Sequence, residues 1–421
     1  MASVQNNTNL KLHLSGPSVS LLKSHIEITG SKSESNRLLL LNALYPGIVI
    51  KNLSNSDDAA VMQKGIQVKE GNVDIHHAGT AMRFLTAFFA AQNGANVILT
   101  GSERMQERPI KILVDALKSL GADIEYFKNE DYPPLKIKGK NLNKSKVSLP
   151  ADISSQYISA LLLIAPSLKN GLELELVGKI TSTPYIRMTL GLLDQIGVKS
   201  TFEGNIVSVL PKKSVGDITL TVESDWSSAS YFYSITALCE VGTEIRLSSY
   251  REDSLQGDSI LAELFKDFGV KTEFINESIT LFKTEPHKKS VINYDLANAP
   301  DLAQTVAVTC FGLGIGCHLS GLHTLKIKET DRLVALKNEL SKLGANISVT
   351  NSTLTLQSSG NILSEVAIDT YNDHRMAMAF APLALKEAII INDAGVVSKS
   401  YPDFWKDLDQ LGFKIKKYKS I

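Results

Sequence analysis

The chain has 421 residues, of which 43% are hydrophobic and 21% are charged, a composition typical of globular rather than disordered proteins. Lysine plus arginine and aspartate plus glutamate number 44 each, so the formal net charge is zero. A neutral chain lacks the basic excess that nucleic-acid or anionic-membrane binding usually needs, so neither partner is expected. No apolar run approaches the roughly 18 residues of a membrane-spanning helix. The length predicts two or three domains.

The N-terminal segment and the cysteines bear on location and metal binding. Residues 1–10 are polar and contain no arginine, unlike a signal or transit peptide, so we expect a cytoplasmic protein. Cys239, Cys310 and Cys317 are odd in number and lie in apolar runs, which predicts reduced, buried thiols. Cys317-His318 has no second ligand pair at zinc spacing, so no metal is expected.

From the N-terminus onward, a leucine-rich helical segment repeatedly ends at a glycine and continues into a β-prone run. The glycines of the five clear copies are 76, 72, 75 and 68 residues apart. A glycine suits the left-handed position after a helix, and the following alternation suits a half-buried strand. Gly65 marks a degraded sixth copy, so six units of about 70 residues predict a repeated α/β fold. The clear glycines are Gly121, Gly197, Gly269, Gly344 and Gly412.

Small polar residues precede apolar helical runs at six places. Ser, Thr, Asp and Asn are good N-caps, and the exposed N–H groups of a helix N-terminus can bind anions. The pattern leaves two alternatives open, an anion site where several helices converge or six ordinary capped helices. The segments are 30–37, 78–83, 152–157, 225–230, 301–304 and 372–375.

Most of the nine arginines lie beside Gly, Ser, Thr, Asp or Glu in such segments, whereas lysine carries most of the charge elsewhere. Arginine makes bidentate contacts with phosphate and carboxylate, so this placement predicts a substrate with several anionic groups. Segment 30–37 lacks P-loop spacing, so ATP is not predicted. Arg104 and Arg108 stand four apart, and Glu107 offers a local ion pair as the alternative.

Segments 328–333 and 371–378 are dense in ionisable groups and then become apolar. Glu, Asp, His and Lys this close together can shift each other's pKa values and provide acid–base catalysis. The alternative for each segment is a helix cap with local ion pairs.

Together these residues resemble the EPSP synthase (3-phosphoshikimate 1-carboxyvinyltransferase) family. The resemblance covers nearly the whole chain, from about Ile26 to Lys399, and its motifs occur in the order typical of the family. They are Gly-Ser-Lys-Ser-x-Ser-Asn-Arg, Ala-Gly-Thr-Ala-Met-Arg, Arg-Met-x-Glu-Arg-Pro-Ile, Ser-Ser-Gln, Lys-Glu-Thr-Asp-Arg-Leu and Tyr-Asn-Asp-His-Arg-Met-Ala-Met.

The resemblance implies an α/β fold of two domains, each with three βαβαββ units, arranged as an inverted α/β barrel. An inserted domain, 31–222, would carry contacts to shikimate 3-phosphate and to the phosphate of phosphoenolpyruvate. A discontinuous domain, 1–30 with 223–421, would carry the catalytic acid and base and the arginines for the phosphoenolpyruvate carboxylate. The implied reaction moves the enolpyruvyl group of phosphoenolpyruvate to the 5-hydroxyl of shikimate 3-phosphate, in the shikimate pathway. It needs no metal or organic cofactor, and a monomer is expected.

The resemblance also assigns residues. Asp301 would serve the attacking hydroxyl and Glu329 the methylene carbon, while Lys32 shares in proton transfer; which group acts at which step is left open. Asp373 and His374 are second-rank candidates. Arg332 and Arg375 would hold the phosphoenolpyruvate carboxylate, and Lys32, Arg108 and Lys399 its phosphate. The phosphoenolpyruvate site comprises Lys32, Gly79, Arg108, Gln156, Arg332, Arg375 and Lys399. The shikimate 3-phosphate site comprises Ser33, Arg37, Ser154, Ser155, Gln156, Ser182, Tyr185, Asp301 and Lys328.

Three positions depart from the family pattern. His77 replaces the usual Asn before Ala-Gly-Thr, so a hydrogen bond there depends on pH. Phe84 stands where Pro is common, and its bulk could shift the phosphoenolpyruvate pocket and its tolerance of the inhibitor glyphosate. Thr324 replaces a common Asn near the shikimate phosphate, which puts that contact in doubt.

Two rival functions remain. UDP-N-acetylglucosamine enolpyruvyl transferase is similar in fold but typically carries a Cys in the loop before its Arg-Pro motif, and residues 99–109 contain none. A catalytically inactive homologue that binds a metabolite would be expected to lose its charged site residues first. All seven such residues are present: Lys32, Arg108, Asp301, Glu329, Arg332, Arg375 and Lys399.

Overall fold

The structure, a computed structural model, describes residues 10–18, 21–151, 154–178, 180 and 183–419. These residues form two compact units. Unit 1 contains the described residues up to Thr29 and those from Glu223 onward, and unit 2 contains those from Gly30 to Val222.

The described residues contain strands and α-helices in alternation. The strands are β1 (Leu10–Ser15), β2 (Lys23–Ile26), β3 (Ile48–Lys51), β4 (Glu70–Asp74), β5 (Asn96–Thr100), β6 (Asp123–Tyr126), β7 (Leu135–Lys138), β8 (Lys146–Pro150), β9 (Leu172–Val177), β10 (Ser200–Glu203), β11 (Ile206–Val209), β12 (Ile218–Thr221), β13 (Glu244–Ser248), β14 (Val270–Ile275), β15 (Ser278–Lys283), β16 (Val291–Asp295), β17 (Gly316–Ser320), β18 (Ile347–Val349), β19 (Leu354–Leu356), β20 (Val366–Ile368), β21 (Ile389–Ile391) and β22 (Lys414–Lys419). The α-helices are α1 (Lys32–Leu44), α2 (Asp57–Gly65), α3 (Gly79–Ala91), α4 (Glu103–Gln106), α5 (Lys111–Ser119), α6 (Ser155–Ile164), α7 (Thr183–Gln195), α8 (Trp226–Leu238), α9 (Leu261–Leu264), α10 (Ala303–Gly312), α11 (Arg332–Lys342), α12 (His374–Phe380) and α13 (Phe404–Gln410). Short 3₁₀ helices span Ala165–Ser167, Gly257–Ile260, Phe265–Phe268, Pro300–Leu302, His323–Ile327, Ala381–Leu385 and Ala394–Lys399.

Within the described ranges, five sheets have four strands and one sheet has two. Each four-stranded sheet pairs two parallel strands and adds two antiparallel ones on one side, as where β5 is parallel to β4 and antiparallel to β7. The orders in unit 2 are β4-β5-β7-β6, β10-β11-β9-β8 and β12-β3. The orders in unit 1 are β14-β15-β13-β2, β16-β17-β19-β18 and β20-β21-β1-β22.

This topology is the predicted repeat, and the α/β class is confirmed. The segments β8–β11 and β16–β19 each run strand, α-helix, strand, α-helix, strand, strand, and β4–β7 differs only in having two helices, α4 and α5, at the second helical position. The N-terminal strands β1 and β2 complete sheets whose other strands lie far along the chain. The two-stranded sheet of β3 and β12 is the reduced copy. Helix α2 ends at Gly65, but the next strand, β4, begins at Glu70 and belongs to a different sheet.

The predicted helix boundaries are also observed. The five clear repeat glycines have φ between 71° and 107°, the left-handed region, and a strand follows each one. Helices α1, α3, α6, α8 and α12 begin inside the predicted segments, and a 3₁₀ turn at Pro300–Leu302 leads into α10. The side chains of Ser154, Asp225 and Asp373 cap α6, α8 and α12.

Apolar burial holds each unit together. Helices α3, α6, α8 and α10 are apolar on nearly all sides, and most of their residues are buried. Cys239, Cys310 and Cys317 are buried and unpaired, as predicted. Across the described part of the chain, no helix has both the length and the apolar character needed to cross a membrane.

Candidate active site

Arg332 is the centre of a carboxylate cluster in unit 1. Its side chain is 2% exposed; Nε donates to Asp373 at 2.6 Å, Nη1 to Asp301 at 2.7 Å and Nη2 to Glu329 at 2.8 Å. Burial lowers the pKa of this guanidinium, but the carboxylates outweigh burial and raise it above its ordinary value. Asp373 also accepts a hydrogen bond from the backbone N–H of Arg375 at 2.9 Å. One buried carboxylate therefore joins both predicted carboxylate-binding arginines.

Asp301 links Arg332 to two further predicted cations. Nη2 of Arg375 lies 3.3 Å from the other carboxylate oxygen of Asp301, and Nη1 donates to the Asp301 carbonyl at 3.4 Å. Nζ of Lys328 lies 3.7 Å from Asp301. The structure thus brings together Asp301, Lys328, Glu329, Arg332 and Arg375, from three segments that lie up to 74 residues apart in the sequence.

A left-handed turn leads into α12. Tyr371 and Asn372 have φ of 53° and 56°, an uncommon conformation for residues other than glycine. The Tyr371 hydroxyl donates to buried Glu339 at 2.6 Å, and Nζ of Lys399 donates to the Asn372 carbonyl at 2.6 Å. Lys399, a predicted phosphate contact, therefore lies at the turn that positions Asp373.

Asp258 is an ionisable residue of this cluster that the sequence reasoning missed. It is 7% exposed and accepts a short hydrogen bond from Ser227, whose Oγ also accepts from Nη2 of Arg375 at 3.1 Å. Burial, followed by repulsion from Asp301, raises the pKa of Asp258 to about 6. Ser227 lies in the flagged segment 225–230, but nothing in the sequence distinguishes Gln256-Gly257-Asp258 from a surface loop.

His374 and Thr324 are two further positions that the sequence analysis singled out. Nδ1 of His374 lies 3.9 Å from Asp373, beyond hydrogen-bond distance, and the ring is buried. The hydroxyl of Thr324 is buried and makes no hydrogen bond to a described residue.

Arg37 is a buried arginine of unit 2, and it is 3% exposed. Nε donates to Thr189 at 2.9 Å, Nη1 to the Ser33 carbonyl at 2.8 Å and Nη2 to Ser159 at 2.9 Å. Its guanidinium carbon lies 5.9 Å from the ring centroid of Tyr185, another predicted site residue. Burial lowers the pKa of Arg37 to about 10. Hydroxyls, a carbonyl and aromatic rings thus surround this cation.

Gly79 and Arg108 meet at the first turn of α3. A Cβ on Gly79 would lie 2.8 Å from Nη1 of Arg108, so only glycine lets the guanidinium approach this closely. Arg104 instead forms an exposed ion pair with Glu107 at 3.0 Å. The structure therefore separates the two arginines: Arg104 takes the local pair, and Arg108 reaches a helix N-terminus.

Predicted contacts of α6 and α1 lie in the same unit. Nε2 of Gln156 donates to Thr80 at 3.2 Å, which ties α6 to the first turn of α3. Ser154 and Ser155 are the N-cap and first residue of α6. Nζ of Lys32, the first residue of α1, lies 3.2 Å from Asp58. Ser182 lies outside the described residues.

Two family departures lie beside these groups. His77 precedes α3, and its Nδ1 lies 2.8 Å from Oγ of Ser102. Phe84 is fully buried on α3, with its ring centroid 5.4 Å from the guanidinium carbon of Arg37. No group of three or more His, Cys, Asp or Glu suited to a metal ion occurs within the described ranges.

Each unit thus presents a buried arginine in the first turns of a helix, Arg37 in α1 and Arg332 in α11, which suits anionic substrates. Unit 1 adds carboxylates that can take up and release protons.

Known proteins are similar to this chain in sequence and in fold. A family model for EPSP synthase (3-phosphoshikimate 1-carboxyvinyltransferase) matches residues 47–408. A Bacteroides fragilis (strain YCH46) protein named 3-phosphoshikimate 1-carboxyvinyltransferase is 47% identical over 410 residues, covering 96% of this chain and 98% of the relative. One of the same name from Photobacterium damsela subsp. piscicida is 37% identical over 425 residues, covering 93% and 98%. A solved EPSP synthase from Acinetobacter baumannii has a TM-score of 0.79 at 19% identity, covering 97% of this chain and 100% of that one, which shows the fold.

Proposed function

The chain belongs to the EPSP synthase (3-phosphoshikimate 1-carboxyvinyltransferase) family, and we propose that it transfers the enolpyruvyl group of phosphoenolpyruvate to the 5-hydroxyl of shikimate 3-phosphate. The products are 5-enolpyruvylshikimate 3-phosphate and phosphate, on the route to chorismate and the aromatic amino acids. Identity of 47% over nearly the full length of a relative bearing this name is the observation that carries the proposal.

Both substrates carry a phosphate and a carboxylate, so binding must overcome repulsion between anions. In the proposed assignment, Lys32, Arg108 and Lys399 bind the phosphate of phosphoenolpyruvate, with Gly79 and Gln156 completing that site. Arg332 and Arg375 bind its carboxylate. Ser33, Arg37, Ser154, Ser155, Gln156, Ser182, Tyr185, Asp301 and Lys328 bind shikimate 3-phosphate. The Gly79–Arg108 approach and the bonds of Arg37 support this assignment.

The reaction needs one base and one acid. Asp301 accepts the proton of the 5-hydroxyl while the hydroxyl oxygen forms a bond to C2 of phosphoenolpyruvate. Glu329 delivers a proton to the methylene carbon. In the elimination, one of these acid–base side chains, deprotonated by the addition step, takes a proton from the new methyl group of the tetrahedral adduct. The bond from C2 to the phosphate oxygen breaks at the same time, and phosphate leaves. Lys32 shares in these transfers. Positioning and charge neutralisation supply much of the remaining acceleration.

The ion pairs of Arg332 couple substrate binding to the proton transfers. Arg332 donates hydrogen bonds to Asp301 and Glu329, the proposed base and acid. A substrate carboxylate that binds Arg332 competes with both of them. Its arrival therefore releases the two side chains toward the reacting atoms at the moment that they are needed.

We place the enzyme in the cytoplasm as a monomer, with unit 2 as the inserted domain and unit 1 as the discontinuous one. Three unpaired, buried cysteines suit a reducing compartment.

A phosphate-release assay tests the function. Purified protein should release phosphate only when shikimate 3-phosphate and phosphoenolpyruvate are both present. The same assay with UDP-N-acetylglucosamine as acceptor should give no release. Folded protein that releases no phosphate above the no-enzyme control would overturn the proposal, and binding without release would indicate an inactive homologue.

A further inference from the structure

Phe84 stands where the family commonly has proline, and the structure shows what it contacts. The residue lies in the second turn of α3, and its side chain is fully buried. Its ring centroid lies 5.4 Å from the guanidinium carbon of Arg37, which is within the range of a cation–π contact. The bulk at this position therefore faces an arginine of the proposed shikimate 3-phosphate site.

Arg37 is held by several helices of unit 2. Its described hydrogen bonds use three of its five N–H groups and reach Ser159 on α6 and Thr189 on α7. The rings of Phe84 on α3 and Tyr185 on α7 add contacts with the guanidinium that are not hydrogen bonds. Aromatic faces can hold a guanidinium without consuming its donors.

This arrangement compensates an unusual charge. Arg37 is 3% exposed, and its hydrogen bonds go to neutral oxygens. Burial lowers its pKa to about 10, while Tyr185 and Glu34 act in the opposite direction. A desolvated cation gains more from an aromatic face than an exposed one does.

We propose that Phe84 is a positioning residue for substrate binding: the face of its ring holds the Arg37 guanidinium in the orientation that binds an anionic group of shikimate 3-phosphate. This role rests on the proposed function. It predicts an effect on the affinity for shikimate 3-phosphate and little effect on the chemical step.

The test combines Phe84→Leu with replacement of Phe84 by 3,4,5-trifluorophenylalanine. The fluorinated ring nearly keeps the volume of phenylalanine but loses most of the negative charge on its face, so a packing role alone would not respond to it. Phe89→Leu is the matched control, because Phe89 is a buried residue of the same helix that packs edge-on against Phe88. Isothermal titration with shikimate 3-phosphate alone gives Kd, and steady-state assays give KM and kcat.

Both Phe84 variants should raise Kd and KM for shikimate 3-phosphate about threefold to tenfold, with kcat within about twofold of wild type. Phe89→Leu should leave Kd within about twofold. A fluorinated variant with wild-type Kd overturns the role of Phe84 even if Phe84→Leu misfolds. If the wild-type protein itself neither binds shikimate 3-phosphate nor turns over, the proposed function fails, and this role fails with it.

Discussion

Replacing Asp258 with asparagine should stabilise the protein at neutral pH. The carboxyl group is 7% exposed, and burial, with repulsion from Asp301 and Asp225, outweighs attraction by Arg375 and the Ser227 hydrogen bond. Its pKa rises from the ordinary 3.8 to about 6. Asparagine has similar size and can still accept the Ser227 hydrogen bond, so Asp258→Asn removes the charge and little else.

The sign and size follow from linkage. A carboxyl group whose pKa is raised by folding binds its proton more tightly when folded, so its ionisation opposes folding as pH rises from 3.8 through about 6. The cost reaches about 3 kcal/mol at pH 7.5 and falls to about 1 kcal/mol at pH 4.5. Asp258→Asn should therefore gain up to these amounts, or about 2–4 °C in Tm for each kcal/mol.

Tryptophan fluorescence is the assay, because both tryptophans of the chain, Trp226 and Trp405, lie in unit 1 with Asp258. Urea unfolding at about pH 4.5 and pH 7.5 gives the free energy of unfolding for each protein. Asp253→Asn makes the same chemical change at an exposed position nearby and should have little effect at either pH. A gain for Asp258→Asn that is equal at both pH values, or no gain at pH 7.5, would refute the reasoning.

Three further predictions concern catalysis and stability. Glu329→Gln can still accept the hydrogen bond from Arg332, but it cannot transfer the proton, so kcat should fall about 10²- to 10⁴-fold. Calorimetry should show that both substrates still bind. Near-normal turnover would remove Glu329 from the mechanism. Gly79→Ala places a Cβ 2.8 Å from Nη1 of Arg108, so the KM for phosphoenolpyruvate should rise about tenfold or more. Gly216→Ala is the control and should leave this KM unchanged, because a Cβ there meets open space. Equal KM values in the two variants would contradict the prediction. Glu339→Gln changes a buried carboxylate that accepts hydrogen bonds from Lys342, Tyr371 and the backbone N–H of Asp369. The free energy of unfolding in urea should therefore fall by about 2 kcal/mol. A wild-type value would show that these hydrogen bonds make no net contribution to stability.

Local signals predicted much of the fold. Each repeat glycine lies within a few residues of the strand that it precedes, so helix end, left-handed residue and strand are all visible in one short window. The partners of β1 and β2 are not visible in this way. β1 pairs with β21 and β22 at the other end of the chain, and β2 pairs with β13. Such pairings depend on tertiary packing that no local pattern records.

The candidate site divides in the same way. Motif resemblance selected Arg37, Arg332 and Asp301, because their local sequences are distinctive. It could not show which partner each side chain takes. Asp258 was missed because its importance comes only from burial beside Asp301 and Arg375, two segments distant in sequence.

Two of the buried arginines, Arg37 and Arg332, show why partners matter more than residue type. Arg37 and Arg332 each lie in the first turns of a helix and are almost fully buried. Folding moves their pKa values in opposite directions, because carboxylates surround Arg332 whereas hydroxyls, a carbonyl and aromatic rings surround Arg37. An incoming anion therefore meets, at Arg37, a cation whose described hydrogen bonds go to neutral oxygens. At Arg332 an incoming anion must displace protein carboxylates. Under the proposed function, Arg37 is therefore suited to attract a substrate, and Arg332 is suited to exchange Asp301 and Glu329, the proposed base and acid, for a substrate carboxylate.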